Sequence, residues 1–142
     1  MTPIVDQPPP VPQEHRQPVW EVVIDHVARA REAGIFGASP VVDLLIADMR
    51  DRDQVGRQRY GTPLTSGNGR DHLVDAFQEV LDACVYLVND LDEHGVGPSL
   101  PITSALVPDS KLREQLHVVQ QLFADQVRAA FCLRTMIEER AS

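Results

Sequence analysis

The sequence predicts an all-α protein built from four helices, and three observations lead to that prediction. Apolar residues recur at spacings of three and four along four stretches, which is the pattern of a helix with one buried face. Clusters of proline and glycine separate these stretches, as expected of turns. No stretch alternates apolar and polar residues in the way that a half-buried strand does.

The length and composition suit one globular domain. The chain has 142 residues, 43% of them hydrophobic but only 5% aromatic, so the core must consist mainly of Leu, Val, Ile and Ala. Residues 1–18 contain six prolines and are predicted to form a flexible, polyproline-like arm, either disordered or lying over a neighbouring subunit. The single all-α domain is then expected over residues 19–142.

The first two helices are predicted from their boundary residues. The first runs over residues 19–33 and stops at Gly34. Ser39 and Pro40 have the character of an N-cap and a first helical residue, so the second helix is predicted over residues 40–58. Gly61 and Pro63 end it.

The third helix is predicted over residues 71–92, because the cluster of Gly95, Gly97 and Pro98 follows it directly. A connector rich in proline and serine then covers residues 95–108.

The fourth helix begins at Pro108–Asp109–Ser110 and continues to about residue 139. Its apolar positions follow a coiled-coil-like seam with spacings of four and three. The seam consists of Leu112, Leu116, Val119, Phe123, Gln126, Ala130, Leu133 and Ile137. A second stripe beside it consists of Leu122, Ala129 and Met136. Two interpretations stay open, a homo-oligomer that covers the second stripe or one broad core face.

Charge and hydropathy restrict the partners. The formal net charge of −8 argues against a nucleic-acid partner, although it leaves room for a small nucleotide whose charge is neutralised by metal ions. No run approaches the roughly 20 apolar residues of a membrane span, and no signal peptide is recognisable. We therefore expect a cytoplasmic protein without nucleic-acid or membrane partners.

An acidic row follows one side of the third helix. At about 100° per residue, Asp71, Asp75, Glu79 and Asp82 fall on one side, and apolar residues occupy the other. An acidic face opposite an apolar face is often only a solvated surface. Here no Lys or Arg relieves the repulsion along the row, so a bound cation would stabilise it.

The second helix offers further carboxylates. Its predicted apolar face contains Val41, Leu44, Leu45, Met49 and Val55. Asp48 lies in the middle of this face, where a carboxylate needs a partner, either Arg52 one turn away or a metal ion. If the second and third helices run antiparallel, Asp48 and Asp51 lie opposite Asp82 and Glu79. Such a cage of oxygen ligands would hold Mg²⁺ or Mn²⁺ in preference to zinc.

The loop between these helices completes the predicted site. Asn68–Gly69 suits a turn with positive φ, and Asp71 suits an N-cap. Arg57, Arg59 and Arg70 are candidates for phosphate binding. Tyr60 and Asn68 are candidates for contact with a base, while ordinary turn and surface roles stay open for each of these residues.

These residues carry a resemblance to a known family. The run 47–52, the loop 59–64 and the stretch 68–87 resemble phage-encoded MazG-like proteins, which are all-α nucleotide pyrophosphohydrolases. The family pattern has a Glu-x-x-Glu pair on one helix and a Glu-x-x-Asp pair on the next. Glu79 and Asp82 match the second pair, whereas Asp48 and Asp51 match the first only loosely, so Asp75 is an alternative ligand.

The resemblance implies a four-helix MazG-like bundle that assembles as a homodimer or as a homotetramer made of two dimers. It implies hydrolysis of a nucleoside triphosphate between its α and β phosphates. The chain is also similar to the MazZ type, which prefers dGTP and GTP and serves phages that contain 2-aminoadenine; its location would then be the host cytoplasm.

The resulting hypothesis is hydrolysis assisted by two or three Mg²⁺ or Mn²⁺ ions. Asp48, Asp75, Glu79 and Asp82 are the expected metal ligands, and Asp51 or Asp75 is the expected general base. Two alternatives remain open: a relative that hydrolyses dUTP or nucleoside diphosphates, and a non-enzymatic helical module that binds a partner through its last helix.

Overall fold

The computed structural model describes residues 1–142 and contains four α-helices and no strand. They are α1 (Val19–Glu32), α2 (Val41–Tyr60), α3 (His72–Glu93) and α4 (Ser110–Ala141). An isolated bridge between Pro18 and Thr65 is a strand-type pairing outside any strand. The prediction of an all-helical chain with four helices is confirmed, and every helix boundary lies within two residues of its predicted position.

The boundary residues explain this agreement. Pro40, predicted as the first helical residue, is the N-cap of α2 and provides no side-chain cap. Ser39, the predicted N-cap, lies one residue earlier, and its hydroxyl accepts a hydrogen bond from the Val41 N–H at 3.3 Å. The helix ends where Gly61 adopts a left-handed φ of 73°. At the start of α3, Asp71 Oδ1 accepts hydrogen bonds from the backbone N–H groups of Leu73 and Val74, at 2.9 and 3.3 Å. The predicted N-cap role of Asp71 is therefore confirmed.

The chain forms two compact units. The N-terminal unit is Gln7–Arg70, with α1 and α2; the C-terminal unit combines Met1–Asp6 with Asp71–Ser142 and contains α3 and α4. The single domain over residues 19–142 stays a prediction. No helix combines the length and the apolar character that crossing a membrane requires.

In the C-terminal unit, α3 and α4 pack against each other along the predicted seam. Leu116 and Ile137 are buried, and every other seam residue of α4 is partly buried. Leu91 of α3 belongs to the same core, which continues into the connector through Val96, Ile102 and Val107. The seam is confirmed, because a repeat of four and three leaves one side of a helix for the neighbouring helix.

The N-terminal unit corrects the predicted face of α2. Within this unit α2 packs against α1, and the buried residues of α2 are Val42 and Ile46. The predicted apolar face is largely exposed: Val41 is 63% exposed, Leu44 65% and Leu45 40%. The prediction failed because the start of α2 carries apolar residues at almost every position, so periodicity does not select one face.

Candidate functional site

The acidic row on α3 occupies one continuous helix. Asp75, Glu79 and Asp82 are spaced by four and three residues, which makes them neighbours on the helix surface, with Cβ atoms roughly 5–6 Å apart. The Asp75 side chain is 27% exposed, and Glu79 and Asp82 are exposed. On the other side of α3, Leu73, Phe77, Val80, Cys84 and Val88 are partly buried and Leu91 is fully buried.

Electrostatics along α3 favour a cation. The helix carries six carboxylates and no Lys or Arg, and its last turn contains no basic residue to balance the helix dipole. The imidazole Nδ1 of His72 lies 3.9 Å from Asp75 Oδ2. The ligand atoms that the row offers are all carboxylate oxygens, which suits Mg²⁺ or Mn²⁺.

Asp48 and Asp51 lie on α2, in the N-terminal unit, and both are exposed. Their spacing of three residues places them on the same side of α2. Because Asp48 is exposed, the predicted cost of a carboxylate inside a buried apolar stripe does not arise in this chain. The structure contains no group of three or more His, Cys, Asp or Glu side chains arranged to hold a metal ion. The cage formed by carboxylates of α2 and α3 stays a prediction.

Arg57 is held by two carboxylates of the N-terminal unit. Its Nε donates to both carboxylate oxygens of Asp53 at 3.0 Å, and its Nη2 lies 3.4 Å from Glu21 Oε1. The hydrogen bond to Asp53 is the main cause that raises the pKa of Arg57 above its ordinary value; burial opposes it, and the charges of Asp53 and Glu21 add to it. This guanidinium is positioned at the end of α2, with its charge partly neutralised.

Arg59 places a second cationic side chain in the last turn of α2, next to the ring of Tyr60. The guanidinium carbon of Arg59 lies 5.4 Å from the centroid of the Tyr60 ring, within the range of a cation–π contact. Tyr60 is 56% exposed, so its ring is accessible to a flat partner such as a base. Arg59 is also exposed.

The loop 61–70 has the predicted turn geometry, with an unexpected burial pattern. Gly67 and Gly69 have φ values of 69° and 85°, which confirms that this turn needs positive φ. Asn68 Oδ1 accepts a hydrogen bond from the Arg70 N–H at 3.2 Å, so the side chain forms the turn. Asn68 is only 1% exposed, and Arg70 Nη1 donates to the carbonyl of Pro8 at 2.7 Å. Contact of Asn68 with a base stays a prediction.

Several residues that define these surroundings were not predicted from the sequence. Asp53 and Glu21 fix Arg57, and the buried Thr65 receives the arm. The spacing of four residues between Asp53 and Arg57 is a recognisable ion-pair signal. The role of Thr65 has no local signal, because its partner lies 52 residues away in the chain.

No protein-family model matches the chain, and neither a curated protein nor a solved structure matches it.

Proposed function

We propose that the chain is a metal-dependent nucleoside triphosphate pyrophosphohydrolase. Water attacks the α phosphorus, the bond from that phosphorus to the α–β bridging oxygen breaks, and the products are a nucleoside monophosphate and pyrophosphate. The observation that carries the proposal is the row of Asp75, Glu79 and Asp82 along one side of a helix without a single Lys or Arg. MazG-like motifs in the same stretch support it.

Acidic residues of the chain are assigned to metal binding and to proton transfer. Asp75, Glu79 and Asp82, together with Asp48, would hold two or three divalent cations. When bound, such ions neutralise phosphate charge and acidify a water molecule. Asp51 or Asp75 accepts the proton of the attacking water.

The arginine side chains are assigned to the leaving group, and Tyr60 and Asn68 are assigned to the nucleobase. Arg57, Arg59 and Arg70 stabilise the departing pyrophosphate, as guanidinium groups pair well with phosphate oxygens. The exposed ring of Tyr60 stacks on the base, and Asn68 contacts its edge.

The finer proposal concerns substrate and assembly. Resemblance to the MazZ type supports dGTP or GTP as the preferred substrate, with a role in phage nucleotide-pool control or in synthesis of DNA that contains 2-aminoadenine. A MazG-like bundle that assembles as a homodimer or homotetramer belongs to the same proposal.

The decisive experiment combines a nucleotide panel with one matched pair of variants. The protein is incubated with dGTP, GTP, dUTP and nucleoside diphosphates in Mg²⁺ or Mn²⁺, and products are identified by mass. Wild type should release pyrophosphate. Glu79→Gln should lower kcat/KM by more than about 100-fold, since loss of a direct ligand should exceed the effect of losing an outer-shell partner.

Asp92→Asn is the control, because it removes the same charge from α3 outside the acidic row. It should change kcat/KM by less than about twofold. Pyrophosphate release by Glu79→Gln at the wild-type rate would disprove the metal site, and phosphate release from diphosphates would point to the related hydrolase class instead.

A second candidate is a non-enzymatic module that binds a partner through α4. It is favoured by the exposed second stripe, where Leu122 is 43% exposed and Met136 37%. This candidate predicts no hydrolysis of any nucleotide in the panel and no effect of Asp48→Asn on partner binding.

A further inference from the structure

The proline-rich arm lies directly on loop 61–70 within the N-terminal unit. The Val11 N–H donates to the Asn68 carbonyl at 2.8 Å, and the Gln13 N–H donates to Thr65 Oγ1 at 3.0 Å. Arg70 Nη1 donates to the Pro8 carbonyl at 2.7 Å. The arm therefore engages the backbone of Asn68 and the side chain of Arg70, two of the residues assigned to the substrate.

Two side chains of the loop are buried where the arm lies on it, and a cavity remains beside them. Asn68 is 1% exposed and Thr65 4% exposed. Beside them, arm and loop residues line an open surface cavity of about 320 Å³. Pro12, Gln13, Arg16, Thr62 and Thr65 are among the residues that line it. A contact made through a few hydrogen bonds next to a cavity lacks the dense packing of a protein core.

One buried group lacks a partner while the arm is in place. Asn68 Nδ2 is buried and makes no hydrogen bond, although the Oδ1 of the same amide accepts from the Arg70 N–H. A buried donor without an acceptor is unfavourable, so the arm does not complement the loop at this position. An acceptor oxygen from a ligand would satisfy this donor once the arm has lifted.

We propose that arm residues 7–16 are an autoinhibitory cover, which competes with a phosphate-bearing nucleotide for Asn68 and Arg70. The inference rests on the proposed function for the identity of the ligand. In the covered state Thr65 and Asn68 are buried, and nucleotide binding replaces the hydrogen bonds of the arm. Lifting of the arm is then a step that precedes substrate binding.

The test uses the full-length chain and trypsin cleavage after Arg16, an exposed residue in the arm. The double variant Val11→Pro/Gln13→Pro removes both N–H donors, and Thr65→Val removes one acceptor while keeping the side-chain shape. Val5→Pro is the control, since it makes the same type of change outside residues 7–16. The probe is a dGTP analogue with a methylene group between its α and β phosphorus atoms, supplied with Mg²⁺.

Without the probe, the double variant should be cleaved on the order of ten times faster than wild type, and Thr65→Val about two to ten times faster. Val5→Pro should match wild type. The probe should accelerate cleavage of wild type several-fold. The Kd of the probe should be lower for the double variant and for Thr65→Val than for wild type and Val5→Pro.

The inference is overturned if the probe leaves cleavage after Arg16 unchanged or slows it. Equal Kd values of the probe for wild type, the double variant and Thr65→Val would also overturn the inference. The two proposals fail separately. Absence of dGTP hydrolysis, with cleavage still accelerated by the probe, rejects the enzyme but supports the cover. Normal hydrolysis with no effect of the probe on cleavage rejects the cover alone.

Discussion

At the scale of single residues, the carboxylate of Asp109 caps the N-terminus of α4, the longest helix. Asp109 Oδ1 accepts a hydrogen bond from the Leu112 N–H at 2.6 Å, and this bond satisfies one of the free donors at the start of α4. Asp109→Ala should lower the free energy of unfolding by about 1 kcal/mol, the usual value of an N-cap. Urea denaturation followed by circular dichroism measures the change.

Asp109→Ser is the matched control, because serine also accepts the hydrogen bond of an N-cap. It should retain most of the wild-type stability. If the alanine and serine variants lost the same free energy, the contribution of Asp109 would not come from capping.

Glu138 introduces a pH dependence into the C-terminal unit. The Thr2 N–H donates to Glu138 Oε1 at 2.8 Å, and Arg134 forms an ion pair with the same carboxylate. The hydrogen bond from Thr2 is the main cause that lowers the pKa of Glu138 below its ordinary value of 4.5, and the charge of Arg134 adds to it. A carboxylate with a lowered pKa in the folded state stabilises that state above its unfolded pKa.

This stabilisation should be complete above about pH 5 and should disappear as pH falls through the folded pKa of Glu138. Unfolding free energies measured from pH 3 to pH 7 should therefore fall less steeply with acid for Glu138→Gln than for wild type. Glu139→Gln, an exposed neighbour, should retain the wild-type slope. Parallel curves for wild type and Glu138→Gln would contradict the prediction.

The role of a single residue could be predicted from the sequence only where its hydrogen-bond or ion-pair partner lies close to it along the chain. The cap at Asp71 and the positive φ of Gly69 are consequences of nearby residues, and both were predicted correctly. The ion pair between Arg57 and Asp53 has a local signal that was not used. The contacts of Thr65 with Gln13, and of Glu138 with Thr2, connect residues far apart in sequence, so no local pattern indicates them.

At the scale of elements, one side chain fixes the connector to α4. Gln120 Nε2 donates to the carbonyls of Gly97 and Leu100, each at 2.8 Å. Gln120→Leu leaves both carbonyls without this donor and should lower the free energy of unfolding by about 1–3 kcal/mol. Hydrogen exchange of residues 97–102 should accelerate in parallel.

Gln121→Leu tests whether this effect belongs to the connector. Gln121 is an exposed neighbour on the same helix and donates only to Asp125, one turn away. It should change stability by less than about 0.5 kcal/mol. A similar loss for both variants would show that Gln120 acts through helix propensity instead of through the connector.

Element boundaries were predictable because Pro, Gly and Asp mark them, whereas the face that each helix buries was predictable in only some cases. The seam of α4 repeats with spacings of four and three along the whole helix, so its period identified the face that packs against α3, although a second apolar stripe lies beside it. The start of α2 has Val41, Val42, Leu44, Leu45 and Ile46 within six positions. Packing against α1 selects Val42 and Ile46 from this set, and that selection is a tertiary effect.

At the scale of the whole molecule, the predicted site residues belong to two compact units. Arg57, Arg59 and Arg70 belong to the N-terminal unit, and Glu79 and Asp82 belong to the C-terminal unit. The sequence predicted which helices carry these groups, because spacing along one helix is a local property. Whether carboxylates of α2 and α3 share a cation depends on long-range packing, which periodicity does not encode.

The second stripe of α4 bears on assembly. Leu122 is 43% exposed and Met136 37%, although the adjacent seam packs against α3. Apolar side chains aligned along a helix are stabilised when a second copy covers them. Leu122→Glu should therefore convert a dimer or tetramer to a smaller species, as measured by sedimentation velocity or light scattering across protein concentrations.

Thr135→Glu is the matched control, because it adds the same charge to an exposed position on the other side of α4. It should leave the molar mass unchanged. A homo-oligomer also becomes more stable as protein concentration rises, since mass action favours the assembled folded state. The Tm of wild type should increase with concentration, and that of Leu122→Glu should not. A wild-type chain that stays monomeric at all concentrations would instead leave this stripe to a different partner, the arrangement expected of a helical interaction module.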